Sequence, residues 1–64
     1  MHDEQLSRAV QTRMVSLGVS KTHLAKEVGR TYKTLWLWLS MGMTETRHDA
    51  LMMALDRIEK RKAE

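Results

Sequence analysis

Cysteine and proline are both missing from this chain of 64 residues, and aromatic side chains number only Tyr32, Trp36 and Trp38. Without cysteine no disulfide can brace the fold, and no thiolate can complete a zinc site. His2, His23 and His48 have no metal-ligand spacing, so neither a metal nor another cofactor is expected. The sequence has no internal repeat and no low-complexity tract. No apolar run approaches the length of a membrane span. The opening MHDEQLSR is acidic and polar, unlike a secretory signal, so a soluble, intracellular protein is expected; the lack of cysteine fits a reducing cytoplasm but leaves the redox compartment undetermined. Also missing is any Ser/His/Asp set, carboxylate pair or phosphate loop with a physical rationale, so an enzyme is not expected. A chain this short makes one domain, residues 1–64, with one core. Such a domain buries only ~60% of the surface its unfolded chain exposes, and self-association is the expected supplement.

Charge is present but unevenly placed. Lys and Arg number 11 against 8 Asp and Glu, a net +3. Residues 1–20 balance Arg8 and Arg13 against Asp3 and Glu4, and residues 48–64 balance four bases against four acids. The whole excess lies in residues 21–47, where Lys21, Lys26, Arg30, Lys33 and Arg47 face only Glu27 and Glu45. A local excess of this kind points to a polyanionic partner.

The hydrophobic pattern is helical throughout. Leu6, Val10, Met14 and Leu17 recur at spacings of four, four and three, one face of a helix that Gly18 should stop. Ser20 is a good N-cap for a second helix, with Leu24, Ala25 and Val28 inward and Gly29 at its end. Thr31 should cap a third, burying Leu35, Trp38 and Leu39, with Gly42 closing it. Thr44 or Thr46 should cap a fourth, whose stripe is Leu51, Ala54, Leu55 and Ile58. Its charged extension carries an Asp56–Lys60 pair at i,i+4 and should fray from about residue 59. The expected fold is an all-α, compact bundle of four helices, or five.

Residues 21–40, KTHLAKEVGRTYKTLWLWLS, meet the stereochemical needs of a helix-turn-helix. Ala25 is small where two helices would cross, and Gly29, four positions later, tolerates a positive φ in the turn. Leu35 and Trp38 are placed to bury against Leu24 and Val28. The stretch LGVSKTHLAKEVGRTYKTLWLWLSMG resembles the helix-turn-helix of the phage lambda repressor and Cro superfamily. The likeness rests on Gly18, Leu24-Ala25, Val28-Gly29, Leu35, Trp38 and Gly42, and runs from about residue 6 to residue 58. Departures are Arg30 where the family has an aliphatic or small residue, Leu39 where Glu is common, Gly42 one position late, and no proline before the fourth helix.

Such a motif places the N-terminal half of its second helix in the major groove while its first helix crosses the backbone. Thr31, Tyr32, Lys33, Thr34 and Leu37 are therefore the candidates for base readout: Lys33 for guanine O6 and N7, Tyr32 and Leu37 for thymine methyls. Ser20, Lys21 and Thr22, at a helix N-terminus, together with Arg30 and Arg47, are the candidates for phosphates.

Apolar side chains exceed what a core of this size should need. Trp36, Met41, Met43, Met52 and Met53 are accordingly expected at a homodimer interface, around the end of the third helix and the fourth. Leu37 competes for that role. The resemblance implies a transcriptional regulator, a Cro-like or anti-CRISPR-associated phage repressor. It would act in the bacterial cytoplasm on a palindromic operator in double-stranded DNA, with no membrane or small-molecule ligand involved. Two other functions fit the same residues: a protein-interaction module such as an antitoxin or adaptor using the WLWL surface, and an excisionase-type protein that bends DNA.

Overall fold

The computed structural model describes residues 2–63, which form four α-helices joined by short connections. Helix α1 spans Glu4–Leu17, α2 Lys21–Val28, α3 Tyr32–Ser40 and α4 Glu45–Ala63, and no strand occurs among the described residues. Helices as short as α2 and α3, with 8 and 9 residues, would be marginal alone, so their ends and their packing must hold them. Each helix begins with a side-chain oxygen accepting from a backbone N–H: Asp3 from Leu6 at 3.2 Å, Ser20 from His23 at 3.1 Å, Thr31 from Thr34 at 3.2 Å, and Thr44 from Arg47 at 3.3 Å. An N-cap of this type contributes about 1 kcal/mol.

The first two helices stop by one device. Gly18 and Gly29 take left-handed φ values of 68° and 71°, and the next residue's N–H reaches back five positions, Val19 to Met14 O and Arg30 to Ala25 O, each at 2.9 Å. This is the Schellman closure, which satisfies carbonyls that the helix end would otherwise orphan. Gly42 does not share it. Helix α3 ends at Ser40, Met41 donates to Leu37 O at 2.9 Å, and Gly42 has no positive φ. Its lack of a side chain instead leaves room for Arg47, whose Nη1 would stand 3.0 Å from a Cβ there.

The core joins all four helices: Val10 and Met14 from α1, Leu24 and Ala25 from α2, Leu35 and Leu39 from α3, and Leu51, Ala54, Leu55 and Ile58 from α4. Val19 and Met43, in the connections, complete it. Leu6, Leu17, Val28, Trp38 and Met52 pack around its margin. Ser7 is the buried polar residue of this core, and its hydroxyl donates to Leu39 O.

Two expectations are corrected. Met43 is fully buried and Met52 packs on the core, so neither belongs to a surplus waiting for a second subunit. Asp56 is not paired with Lys60; it is held by Arg13 of α1, whose guanidinium also lies 3.8 Å from Glu59. Helix α4 runs on to Ala63. Arg61 engages Glu27, and Lys62 donates to Leu17 O, a cation on the free carbonyl end of α1.

An N-terminal strap was not foreseen. Asp3 N–H donates to Met43 O at 2.8 Å, and Met43 N–H donates to His2 Nδ1 at 3.0 Å. The segment before α1 is thereby tied to the α3–α4 loop. No described helix is long and apolar enough to cross a membrane.

Candidate nucleic-acid interface

The surface divides by how its charges are used. On α1 and α4, Arg8 pairs with Glu4 at 3.3 Å and Arg13 with Asp56 and Glu59. Across α2 and α4, Glu27 receives Arg57 at 3.1 Å and Arg61 beside it. Hydrogen bonds from Arg61 and then Arg57 hold the Glu27 carboxyl below its ordinary range. Lys60 apart, the cations left without an acid or carbonyl partner among the described residues are Lys21, Lys26, Arg30 and Lys33. All four lie on α2, its following turn and the start of α3.

The helix ends divide in the same way. Helices α1 and α4 carry Glu4 and Glu45 in their first turns, where a carboxylate offsets the positive end of the helix. Helices α2 and α3 carry no acid in theirs. The two N-termini uncompensated by a first-turn acid therefore belong to the same segment as the four unpaired cations. An anion brought there meets backbone amides, two dipole ends and cations without acid partners.

The structure brings several of the sequence-predicted residues together. Ser20, Lys21, Thr22 and Tyr32 line one open groove of about 460 Å³, closed on its other side by Gln11, Met14, Val15 and Val19. The residues chosen for phosphate and those chosen for bases thus meet at Tyr32. Thr31 and Thr34 sit at the same end of α3 but are turned on each other, with the Thr31 hydroxyl 3.0 Å from that of Thr34. Lys33 and Leu37, one turn apart, are both exposed on α3. Arg30 lies with its guanidinium 5.8 Å from the Trp38 ring centre and is otherwise exposed.

Arg47 is withdrawn from the phosphate set. It is half-buried, donates to Gly42 O at 2.6 Å, and lies 5.0 Å from the Trp38 ring centre, so it pins the α3–α4 loop. The residues chosen for the subunit contact are not all at the surface. With Met43 in the core and Met52 on its margin, Trp36 and Met41 remain exposed at the far half of α3, and Met53 is exposed on α4. Met53 projects from the side of α4 away from Leu51, Leu55 and Ile58, among Asp49, Asp56, Arg57 and Lys60.

Gln11, Val15 and Lys26 were not singled out by the sequence. Val15 is the most exposed large apolar residue, at 82%, and its position off the Leu6–Val10–Met14 stripe was the signal available. Lys26 was visible only as part of the charge excess. Comparison with known protein families, with curated proteins and with solved structures finds no match to this chain.

Proposed function

We propose that this chain is a sequence-specific duplex-DNA-binding transcriptional regulator that uses α2, the Gly29 turn and α3 as a helix-turn-helix. The observation that carries this is the coincidence of Lys21, Lys26, Arg30 and Lys33, all without acid partners, with the two helix N-termini that lack a first-turn acid. A fold that pairs the other described cations apart from Lys60 leaves this segment able to take polyanion, and phosphate contacts there would set the register of α3 against base edges. Ser20, Lys21, Thr22 and Arg30 are the phosphate residues in this reading, and Tyr32, Lys33 and Leu37 reach the bases. Catalysis has no part in it. The resemblance to Cro-type repressors adds a phage or anti-CRISPR-associated setting, the bacterial cytoplasm, and a palindromic operator bound by a homodimer. Two-fold symmetry would place two α3 helices about 34 Å apart on one DNA face. Met41, beyond the end of α3, and Met53 are the exposed apolar residues left for a subunit contact.

A second reading has its own support. Tyr32, Trp36, Leu37 and Met41 make α3 and its end unusually apolar for a surface that meets phosphate. A protein partner seated on α3, as in an antitoxin or adaptor, would cover them.

Selection of bound duplexes from a random pool separates the two. Enrichment of a palindrome supports the regulator and its symmetry. Recovery of no preferred duplex at low salt, with the protein folded, excludes the regulator and leaves the protein-binding module.

A further inference from the structure

The outward face of α3 has a composition that neither solvent nor a phosphate row explains. Lys33, Trp36, Leu37 and Ser40 stand at i, i+3, i+4 and i+7, one side of the helix, opposite the inward Leu35, Trp38 and Leu39. All four are exposed, Trp36 at 42% and Leu37 at 38%. Tyr32 precedes Trp36 by one turn and is exposed as well. Trp36 was expected at a subunit contact beside Met43 and Met52, but those two belong to the core and its margin. Trp36 instead shares its face with Lys33 and Leu37.

That face carries a cation and two apolar side chains together. Lys33 stands on it, and Lys21, Lys26 and Arg30 lie on the preceding helix and turn without acid partners. A complementary surface must therefore present apolar groups close to negative charge. The major groove supplies both: phosphates along its walls, and the 5-methyl group of each thymine projecting from its floor. The other features of base edges there are hydrogen-bonding groups, for which indole carbon and a leucine side chain have no match. Apolar protein surface pressed on them would leave buried polar atoms unpaired.

Resting on the DNA-binding reading above, we infer that Trp36 and Leu37 read thymine methyl groups, so that the chain selects a half-site with thymines flanking the base pair met by Lys33. Discrimination at those positions comes from burying a methyl group rather than from hydrogen bonds. Trp36 is then a specificity-determining residue and not a subunit contact.

Replacing thymine by deoxyuridine removes the methyl group and changes no hydrogen-bonding group on the major-groove edge. The test begins with the duplex that the full chain selects from a random pool. Each of its thymines is changed singly to deoxyuridine, and affinity is measured by fluorescence anisotropy. The expected result is a loss of about fourfold at each methyl contacted, equivalent to ~0.8 kcal/mol per buried carbon. Leu37→Ala should abolish the loss at one position and Trp36→Ala at another. Both side chains are exposed, so circular dichroism should show both variants folded, and the uracil series on the unaltered chain needs no variant. A selected duplex that tolerates uracil everywhere overturns methyl readout while DNA binding stands. Uracil sensitivity that survives in both variants overturns the assignment to Trp36 and Leu37. Failure to select any duplex overturns DNA binding itself, and methyl readout with it.

Discussion

The two turns that flank α2 share a backbone and differ in one side chain. Gly18-Val19-Ser20 and Gly29-Arg30-Thr31 each run from a left-handed glycine, through a residue whose N–H closes the preceding helix, to a hydroxyl that caps the next. At the middle position the first turn has Val19, buried in the core, and the second has Arg30, exposed over Trp38. A Schellman closure usually brings an apolar residue at that position against the helix it ends. The first turn follows that habit and adds to the core. The second replaces the apolar plug with a cation, although the hydrogen bonds are the same. Backbone geometry therefore did not require arginine there. The middle residue of the first turn is used up by the core, whereas that of the second stays at the surface without an acid partner.

Exchanging the middle residues should separate those two jobs, with the largest effect on the buried side. Val19→Arg forces a guanidinium into a site that is 5% exposed. It should destabilise the domain by on the order of 3 kcal/mol, enough to leave much of a 64-residue chain unfolded. Arg30→Val should stay within about 1 kcal/mol of the parent, since it loses one exposed cation–π contact and gains an apolar body beside Trp38. Urea unfolding followed by circular dichroism compares them. Equal losses in both variants would mean that the turns are structurally alike and that Arg30 is part of the scaffold.

The next effect is on binding rather than folding. Lys33→Ala should weaken binding to the selected duplex by ~1–3 kcal/mol if the ammonium meets a base edge. Arg30→Val and Lys21→Ala should weaken all duplexes alike and each reduce the slope of log K against log salt by about 0.9. Arg13→Ala, a cation of the same charge already held by Asp56 and Glu59, should leave both quantities unchanged. Affinity lost equally in Arg13→Ala and Lys33→Ala would show that only net charge matters, and the contrast between the two regions would carry no functional meaning.

Much of this contrast was legible in the sequence because its causes are local. Ser20, Gly18, Gly29 and Thr31 act within four residues of themselves, so their spacing announced the helix ends. The 3.6-residue stripes of α1 and α4 announced their core faces. What escaped was set by residues distant in sequence. Arg13 and Asp56 are 43 positions apart, and nothing at i,i+4 spacing could show that Asp56 would turn from Lys60 to α1. Met43 is buried in a connection whose backbone the His2–Asp3 strap holds, which no periodicity records. Arg47 looked like the other cations of the middle third until Gly42 and Trp38 gave it a place to bind. In the candidate site, the residues of the α2 N-terminus and of α3 were visible as a motif. Gln11 and Val15 were not, because α1 reaches the groove only through the tertiary fold.

The smallest effect expected is at Glu27, which lies on α2 yet belongs to the paired half. Its side chain is only 16% exposed, and it takes Arg57 and Arg61 from α4. Those hydrogen bonds, Arg61's first and Arg57's second, lower its folded pKa below the ordinary 4.5. A carboxyl whose pKa falls on folding stabilises the folded state while it is ionised in both states, above about pH 4.5. That contribution fades as the pH falls from there through the folded value. Glu27→Gln keeps the shape and removes the titration. The variant should be less stable than the parent at neutral pH, with the gap closing as the pH falls below about 4.5. The gap should be modest, because Arg57 and Arg61 are more than half exposed and water and salt screen them. Binding to DNA at neutral pH should hold or rise slightly, since Glu27→Gln removes a negative charge one residue from Lys26 and frees two arginines. Thermal unfolding between pH 3 and pH 7, in low and in high salt, measures the first effect. A gap between variant and parent that stays constant across that range would show that Glu27 contributes by packing alone, and that α2 is not tied to α4 by charge.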